Sequence, residues 1–240
     1  MDLALREYAA VCEALTSFPD LQRESILFFK SRGLKMMSYH HIPPVGAPAG
    51  DRANLIYAYG FPKDWVARYI RDRLFEVDPI PRIGQASTKP FRWLDLVGSK
   101  EISAREQAYM DVLVSAGLGN GLAIPVFGPH GRNGYCGLGY GPDAGVPRDV
   151  EVTILHEACI LSHLKYCELH PIPRVDGALS VREKTTLKHV AKGLSNNEIA
   201  SQMGVSPSTI DTNLRRIYRK LGVRDRVSAV LRGIVLGIYD

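Results

Sequence analysis

The polar side chains between Ser206 and Leu221 are spaced so that they could read a nucleic acid. On a 3.6-residue repeat, Ser208, Asp211, Thr212, Arg215 and Arg219 share one side, while Ile210, Leu214, Ile217 and Leu221 share the other. The apolar side is expected to be buried. A recognition helix reads base edges with its N-terminal half, which makes Ser208, Asp211, Thr212 and Arg215 the base-contact candidates, with Ser206 and Thr209 beside them at the helix start. Arg216, Arg219 and Lys220 suit phosphates. Asp211 is unusual in a groove lined by phosphate: it could accept from a cytosine amino group or orient Arg215 one turn on, and the second role is favoured.

A second set lies in the first half of the chain. Trp65 and Tyr69 are one helical turn apart and share a face, and Asp78-Pro79, Trp93 and Gly121 follow. Taken singly, each has an ordinary structural explanation: core aromatics, a helix cap and a strand glycine. Other groupings lead to no chemistry. His156, Cys159, His163 and Cys167 form a stripe along one helical stretch, but a single straight helix cannot wrap four ligands tetrahedrally around an ion, so no metal is expected. The glycine-rich run from Gly117 to Gly121 lacks the Lys-Ser/Thr of a phosphate loop. No Ser/His/Asp order, acid dyad or nucleophile motif appears, so the expected protein is not an enzyme and needs no cofactor.

The C-terminal seventy residues hold the elements that must position the basic helix. Ser180 with Glu183 and Ser195 with Glu198 have the spacing of capping boxes, and Ser206 precedes Pro207 at a first helical turn. These signals predict a helix opened by Ser180, a short one over Asn196 to Met203, a long one ending at Gly222, and a fourth over Arg226 to Leu236, either core or dimer contact. The short helix, the Gly204-Val205-Ser206 turn and the long helix have helix-turn-helix spacing. Charge agrees: from Pro171 onward there are 12 Lys and Arg against 6 Asp and Glu, and before it 18 against 19. The net charge of +5 is thus local to the segment expected to hold nucleic acid.

Helical and strand patterns alternate through the first 170 residues. Leu3 to Leu15, Asp20 to Arg32, Asp64 to Arg73, Ser103 to Ala116 and Arg148 to Glu168 read as helices. Leu34 to Ile42, Asn54 to Tyr59, Gly121 to Phe127 and Tyr135 to Tyr140 read as strands, with a turn-rich run from Pro43 to Gly50. The expected fold class is α+β: an N-terminal α/β/α sandwich with an antiparallel sheet over 1–169, a Pro/Gly linker over 170–178 and a small all-α helix-turn-helix domain over 179–240. No signal peptide or membrane span is legible, the four cysteines show no disulfide or CxxC spacing, and the expected location is the cytoplasm.

Both halves resemble one known family. Leu179-Ser180-x-Arg182-Glu183, Gly193-Leu194-Ser195-x-x-Glu198-Ile199-Ala200, Ser206-x-x-Thr209-Ile210 and Lys220-Leu221-Gly222-Val223-x-x-Arg226 resemble the LuxR-type DNA-binding domain. Trp65, Tyr69, Asp78, Pro79, Trp93 and Gly121 fall where the hallmark residues of that family's acyl-homoserine lactone receptors fall. The resemblance implies a quorum-sensing transcriptional regulator, a homodimer on a pseudo-palindromic operator, with an N-acyl-homoserine lactone as its signal. It further implies that Trp65 donates to the lactone carbonyl, that Asp78 accepts from the ligand amide N–H, that Tyr69 and Trp93 wall the pocket, and that Gly121 permits close backbone approach. The chain departs from the pattern at Phe61, where many members have a tyrosine, and at Gly137, where a hydroxyl is common. Tyr57, Tyr59, Tyr135 and Ser38 are the candidates to meet the amide carbonyl instead. The alternatives are a different small amphiphile or no ligand, and more remotely an acyl-lactone-processing enzyme.

Overall fold

A computed structural model describes residues 2–48, 56–142, 145, 147–172 and 179–239. Most of the expected linker, the end of the Pro43 to Gly50 run and the first residues of the strand expected from Asn54 lie outside them. Contacts divide the chain into two compact units, Met1–Ile42 with Asn54–His170, and Pro43–Ala53 with Pro171–Asp240.

In the first unit, β1 (Met36–Ile42), β2 (Ile56–Tyr59), β3 (Phe91–Arg92), β4 (Gly121–Phe127) and β5 (Asn133–Gly139) form one antiparallel sheet in the order β2-β1-β5-β4-β3. Side chains alternate across a strand, and here the alternation separates two cores. Met37 on β1, Leu122, Ile124 and Val126 on β4, and Cys136 and Leu138 on β5 face α1 (Leu3–Ala14), α2 (Phe18–Ser31) and the long α6 (Asp149–Leu169). Met36, Ala123 and Tyr135 face the other way, toward α3 (Lys63–Arg71), α4 (Pro79–Ala86) and α5 (Ala104–Ser115). The sheet is therefore covered on both faces, as the alternating pattern implied. Local chemistry sets several helix starts: Asp2 accepts from Leu5 N (3.0 Å), and Ser103 and Glu106 form a reciprocal capping box.

The His/Cys stripe on α6 is spent on packing. His163 is fully buried, its Nδ1 bonded to the Tyr39 hydroxyl (2.8 Å) and its Nε2 to the Arg132 carbonyl (2.9 Å). Burial pushes its pKa down to about 4, so it is neutral at pH 7.

The described residues of the second unit form four helices: α7 (Val181–Ala191), α8 (Asn196–Met203), α9 (Pro207–Leu221) and α10 (Arg226–Val235). Both expected capping boxes form, with the Ser180 and Ser195 N–H groups each donating to a glutamate at 2.7 Å. Gly204 and Gly222 end α8 and α9 at φ +63°, the left-handed conformation that costs glycine nothing. Ile210, Leu214, Ile217 and Leu221 are buried against Leu187, Val190, Ile199 and Ala229. Among the described residues, no helix is long and apolar enough to cross a membrane.

Candidate functional site

In the first unit the polar centre is Asp78. It is the N-cap of α4, and its Oδ1 accepts from Ile80 N at 2.9 Å, so the cap reading is correct. The same carboxylate does more: its Oδ2 accepts from the hydroxyls of Tyr69 (2.9 Å) and Tyr109 (3.1 Å). Part of the residue's surface stays accessible, yet protein crowds the carboxyl group itself. That desolvation outweighs the three hydrogen bonds and raises its pKa to about 6. Tyr69 and Tyr109 are raised above the ordinary tyrosine range, by burial first and by Asp78's charge second, so both stay protonated donors. An ionised carboxylate offers about four acceptor positions; three are filled, leaving one.

The aromatic residues enclose this centre. Trp65 is buried, with its ring 6.4 Å from that of Tyr109, and Phe61 and Tyr69 pack against the same cluster. Trp93 is only 4% exposed and lies across a floor of glycines. A Cβ at Gly121 would meet its Cζ3 at 2.4 Å, one at Gly137 its Cζ2 at 3.3 Å, and one at Gly139 its Cη2 at 3.6 Å. What approaches Gly121 within the fold is thus the Trp93 ring. The Trp93 Nε1 is buried with no hydrogen-bond partner.

Strand register sorts the candidates for the ligand carbonyl. Tyr57 stands opposite Tyr39 and Tyr59 opposite Met37, so both project to the α6 side. Tyr57 is thus on the face away from Asp78, where it lines an apolar cavity between α2, the sheet and α6, with Phe18, Leu21, Phe29 and Tyr166. That cavity lies across the sheet from Asp78; of its polar groups, Ser25 and Ser162 both bond Tyr8, and Tyr39 bonds His163. The Asp78 side, with its buried carboxyl and the unpartnered Trp93 N–H, is the candidate site. Ser38 and Tyr135 do face Asp78's side. Tyr135 is stacked on His40 at 4.3 Å and bonds His40 Nε2 at 3.0 Å. Burial lowers the His40 pKa to about 4, leaving the ring neutral. Tyr109 was not foreseen: a tyrosine at a core position of a helix carries no sequence sign that its hydroxyl ends on Asp78.

In the second unit, α9 turns its expected face outward. Ser206, Ser208, Asp211, Thr212, Arg215, Arg216 and Arg219 are exposed, and Thr209 is half-buried. Ser206 Oγ caps Thr209 N at 3.2 Å and bonds the hydroxyls of Ser208 (2.9 Å) and Thr209 (2.8 Å), while Thr212 donates to the Ser208 carbonyl (3.0 Å). Two expectations change. Asp211 accepts from Asn196 Nδ2 at 2.5 Å instead of steering Arg215, and Asn196 in turn accepts from Arg226 at 3.0 Å. Asp211 therefore ties the recognition helix to the start of α8. Lys220 donates to the buried Glu183 at 2.7 Å, so this ammonium secures α9 to α7 instead of reaching freely for phosphate.

Fold and site together define a two-part protein, a sheet domain enclosing a polar centre and a helix-turn-helix domain with an exposed basic face. Comparison with known proteins agrees. Residues 19–166 match the autoinducer binding domain, and residues 177–232 match the bacterial regulatory proteins of the luxR family. The chain belongs to the LuxR family of transcriptional regulators, a family of regulators and not of enzymes. The quorum sensing-dependent transcriptional regulator RpaR of Rhodopseudomonas palustris is 27% identical over 185 residues, 77% of this chain and 75% of that protein. The HTH-type transcriptional regulator y4qH of Sinorhizobium fredii is 26% identical over 183 residues, 75% of this chain but just 56% of that longer protein. The crystal structure of Escherichia coli SdiA shares the fold, with a TM-score of 0.74 at 15% identity over 98% of both chains.

Proposed function

We propose that the first unit binds an N-acyl-homoserine lactone and that the second, in a homodimer, reads a pseudo-palindromic DNA site, making the protein a cytoplasmic quorum-sensing regulator. The observation that carries this reading is the pairing of opposite needs on one face of the sheet. Asp78 has a spare acceptor position, and Trp93 has an unused N–H in an apolar enclosure. A secondary amide offers a donor and an acceptor side by side, and a buried site rewards a ligand that satisfies both. Asp78 takes the amide N–H, Trp65 gives its indole N–H to the lactone carbonyl, and Tyr69 and Trp93 wall the head. The α9 face then positions Arg215 at base edges and Arg216 and Arg219 at phosphates.

No resident cofactor or metal enters this reading; among the described residues no group of three or more His, Cys, Asp or Glu is placed to hold an ion. Ligand burial would bias DNA binding by stabilising the first unit or shifting how two copies pair. A different small amphiphile is the second reading, favoured specifically by Phe61 and Gly137, which place no hydroxyl where one is common. Mass spectrometry of small molecules released from protein purified out of cells making lactones tests both. A homoserine lactone in equimolar amount supports the first reading, and another amphiphile in its place supports the second.

A further inference from the structure

We propose that Trp93 is a ligand-contacting donor, and that its indole N–H and the Ser38 hydroxyl, meeting above Gly137, form a seat for one acceptor oxygen of the signal, the acyl-amide carbonyl. The proposal rests on the reading that a lactone binds beside Asp78.

Three features of the fold converge on this seat. The first is the Trp93 Nε1, buried and without a partner. An indole N–H can only donate, so the atom that satisfies it must be an acceptor. A protein group or ordered water normally fills such a need, because a buried orphan donor is costly.

The second is the orientation of the ring. Its Cζ2 is the atom nearest the position a Cβ would take at Gly137, while Cζ3 and Cε3 are nearest Gly121. Cζ2 is two bonds from Nε1, so the edge carrying the N–H is the one turned toward Gly137.

The third is Ser38, the direct cross-strand partner of Gly137 in the β1–β5 ladder. Its Oγ lies 2.6 Å from where a Cβ at 137 would be. The space vacated by the missing side chain is therefore bordered by two donors from its neighbours. With the Ser38 hydroxyl where it stands, a Cβ at 137 would crowd it, so the glycine leaves that hydroxyl its place.

Tyr135, on the same face of β5, bonds the Nε2 of a neutral His40. The Ser38 hydroxyl is both donor and acceptor, so its proton can turn toward a ligand oxygen. Phe61 then needs no hydroxyl, because the carbonyl has moved from the helix side of the head to the sheet side. The head groups are paired throughout: amide N–H to Asp78, lactone carbonyl to Trp65, amide carbonyl to Trp93 and Ser38.

Calorimetry with matched ligands isolates the oxygen. N-octanoyl-homoserine lactone and its thioamide counterpart both keep the N–H that Asp78 accepts, but sulfur is a much weaker acceptor. On the full chain the amide is expected to bind about tenfold more tightly than the thioamide, the worth of roughly one buried hydrogen bond. In Trp93→Phe this ratio should fall to about 1–3, and in Ser38→Ala it should fall partway. A measurement on the unmutated protein guards against a Trp93→Phe variant that fails to fold. The chain has 2 tryptophans, so a ¹⁵N spectrum shows two indole N–H signals. The Trp93 signal should move downfield with the amide and distinctly less with the thioamide. An unchanged affinity ratio in both variants, or a Trp93 signal indifferent to the oxygen-to-sulfur exchange, overturns the seat while leaving the lactone reading intact. Failure of the wild-type chain to bind acyl lactones of any tail length from four to fourteen carbons overturns both.

Discussion

Replacing Asp78 with asparagine should change how the stability of the first unit depends on pH. In the folded protein this carboxyl titrates at about 6, against an ordinary value of 3.8. A shift of about two units corresponds to about 3 kcal/mol of preference for the protonated form. Because the folded pKa lies above the unfolded one, the native state holds the proton more tightly. Its advantage is complete below about pH 4, declines as pH rises toward 6, and is gone above it. Asp78→Asn keeps the group neutral and has no such slope. The difference in unfolding free energy between wild type and Asp78→Asn should therefore shift in the variant's favour by about 3 kcal/mol between pH 4 and pH 7.5. His40 and His163, both lowered to about 4, titrate equally in the two proteins and cancel. Urea denaturation followed by tryptophan fluorescence is the assay, since Trp65 and Trp93 both belong to the first unit and report on it alone. A difference that is flat across this range would mean that Asp78 is not desolvated, and the account of its pKa would be wrong. The same titration bears on the ligand: an amide N–H donates to the ionised carboxylate, so lactone affinity should be about tenfold weaker at pH 5 than at pH 7.

The other predictions concern packing and DNA. Gly121→Ala places a methyl 2.4 Å from the Trp93 ring and should cost about 1–3 kcal/mol by denaturation; unchanged stability would show that the indole gives way freely. Arg215→Ala should weaken binding to the specific site by about 1–3 kcal/mol without altering the unfolding midpoint, as an electrophoretic or anisotropy titration would register. An equal loss on random DNA would assign Arg215 to phosphate. Lys220→Ala should do the reverse, destabilising the second unit by about 1–3 kcal/mol because Glu183 keeps its buried charge and loses its main partner, with little change in the salt dependence of DNA binding.

Local chemistry was readable from the residues. Ser180, Ser195 and Ser206 cap the helices they were expected to cap, and strands form at β1, β4 and β5 where strands were expected. Two elements were not delimited in advance, although Asp78 was read as a possible cap for the first of them. The helix α4 is eight residues long and contains Pro79, Pro81 and Gly84, so its propensity is poor and Asp78's cap is its main local support. The strand β3 is two residues long, too short for any period to show. The differences from expectation are all long-range. Pairing with Tyr39 puts Tyr57 on the face away from Asp78, and register is a property of two strands together. Asp211 finds Asn196 fifteen residues earlier, and Lys220 finds Glu183 on another helix. Spacing within one helix shows which side chains share a face, but not which of them another element will claim.

The central claim is that Asp78 is the acceptor of an acyl-homoserine lactone's amide N–H. Calorimetry of N-acyl-homoserine lactones against the full wild-type chain and Asp78→Asn tests it most directly, at pH 7.5 and with the variant's folding checked by tryptophan fluorescence. The expected result is saturable one-to-one binding by the wild type and a loss of affinity of tenfold or more in the folded variant. Equal binding by both proteins would contradict the claim.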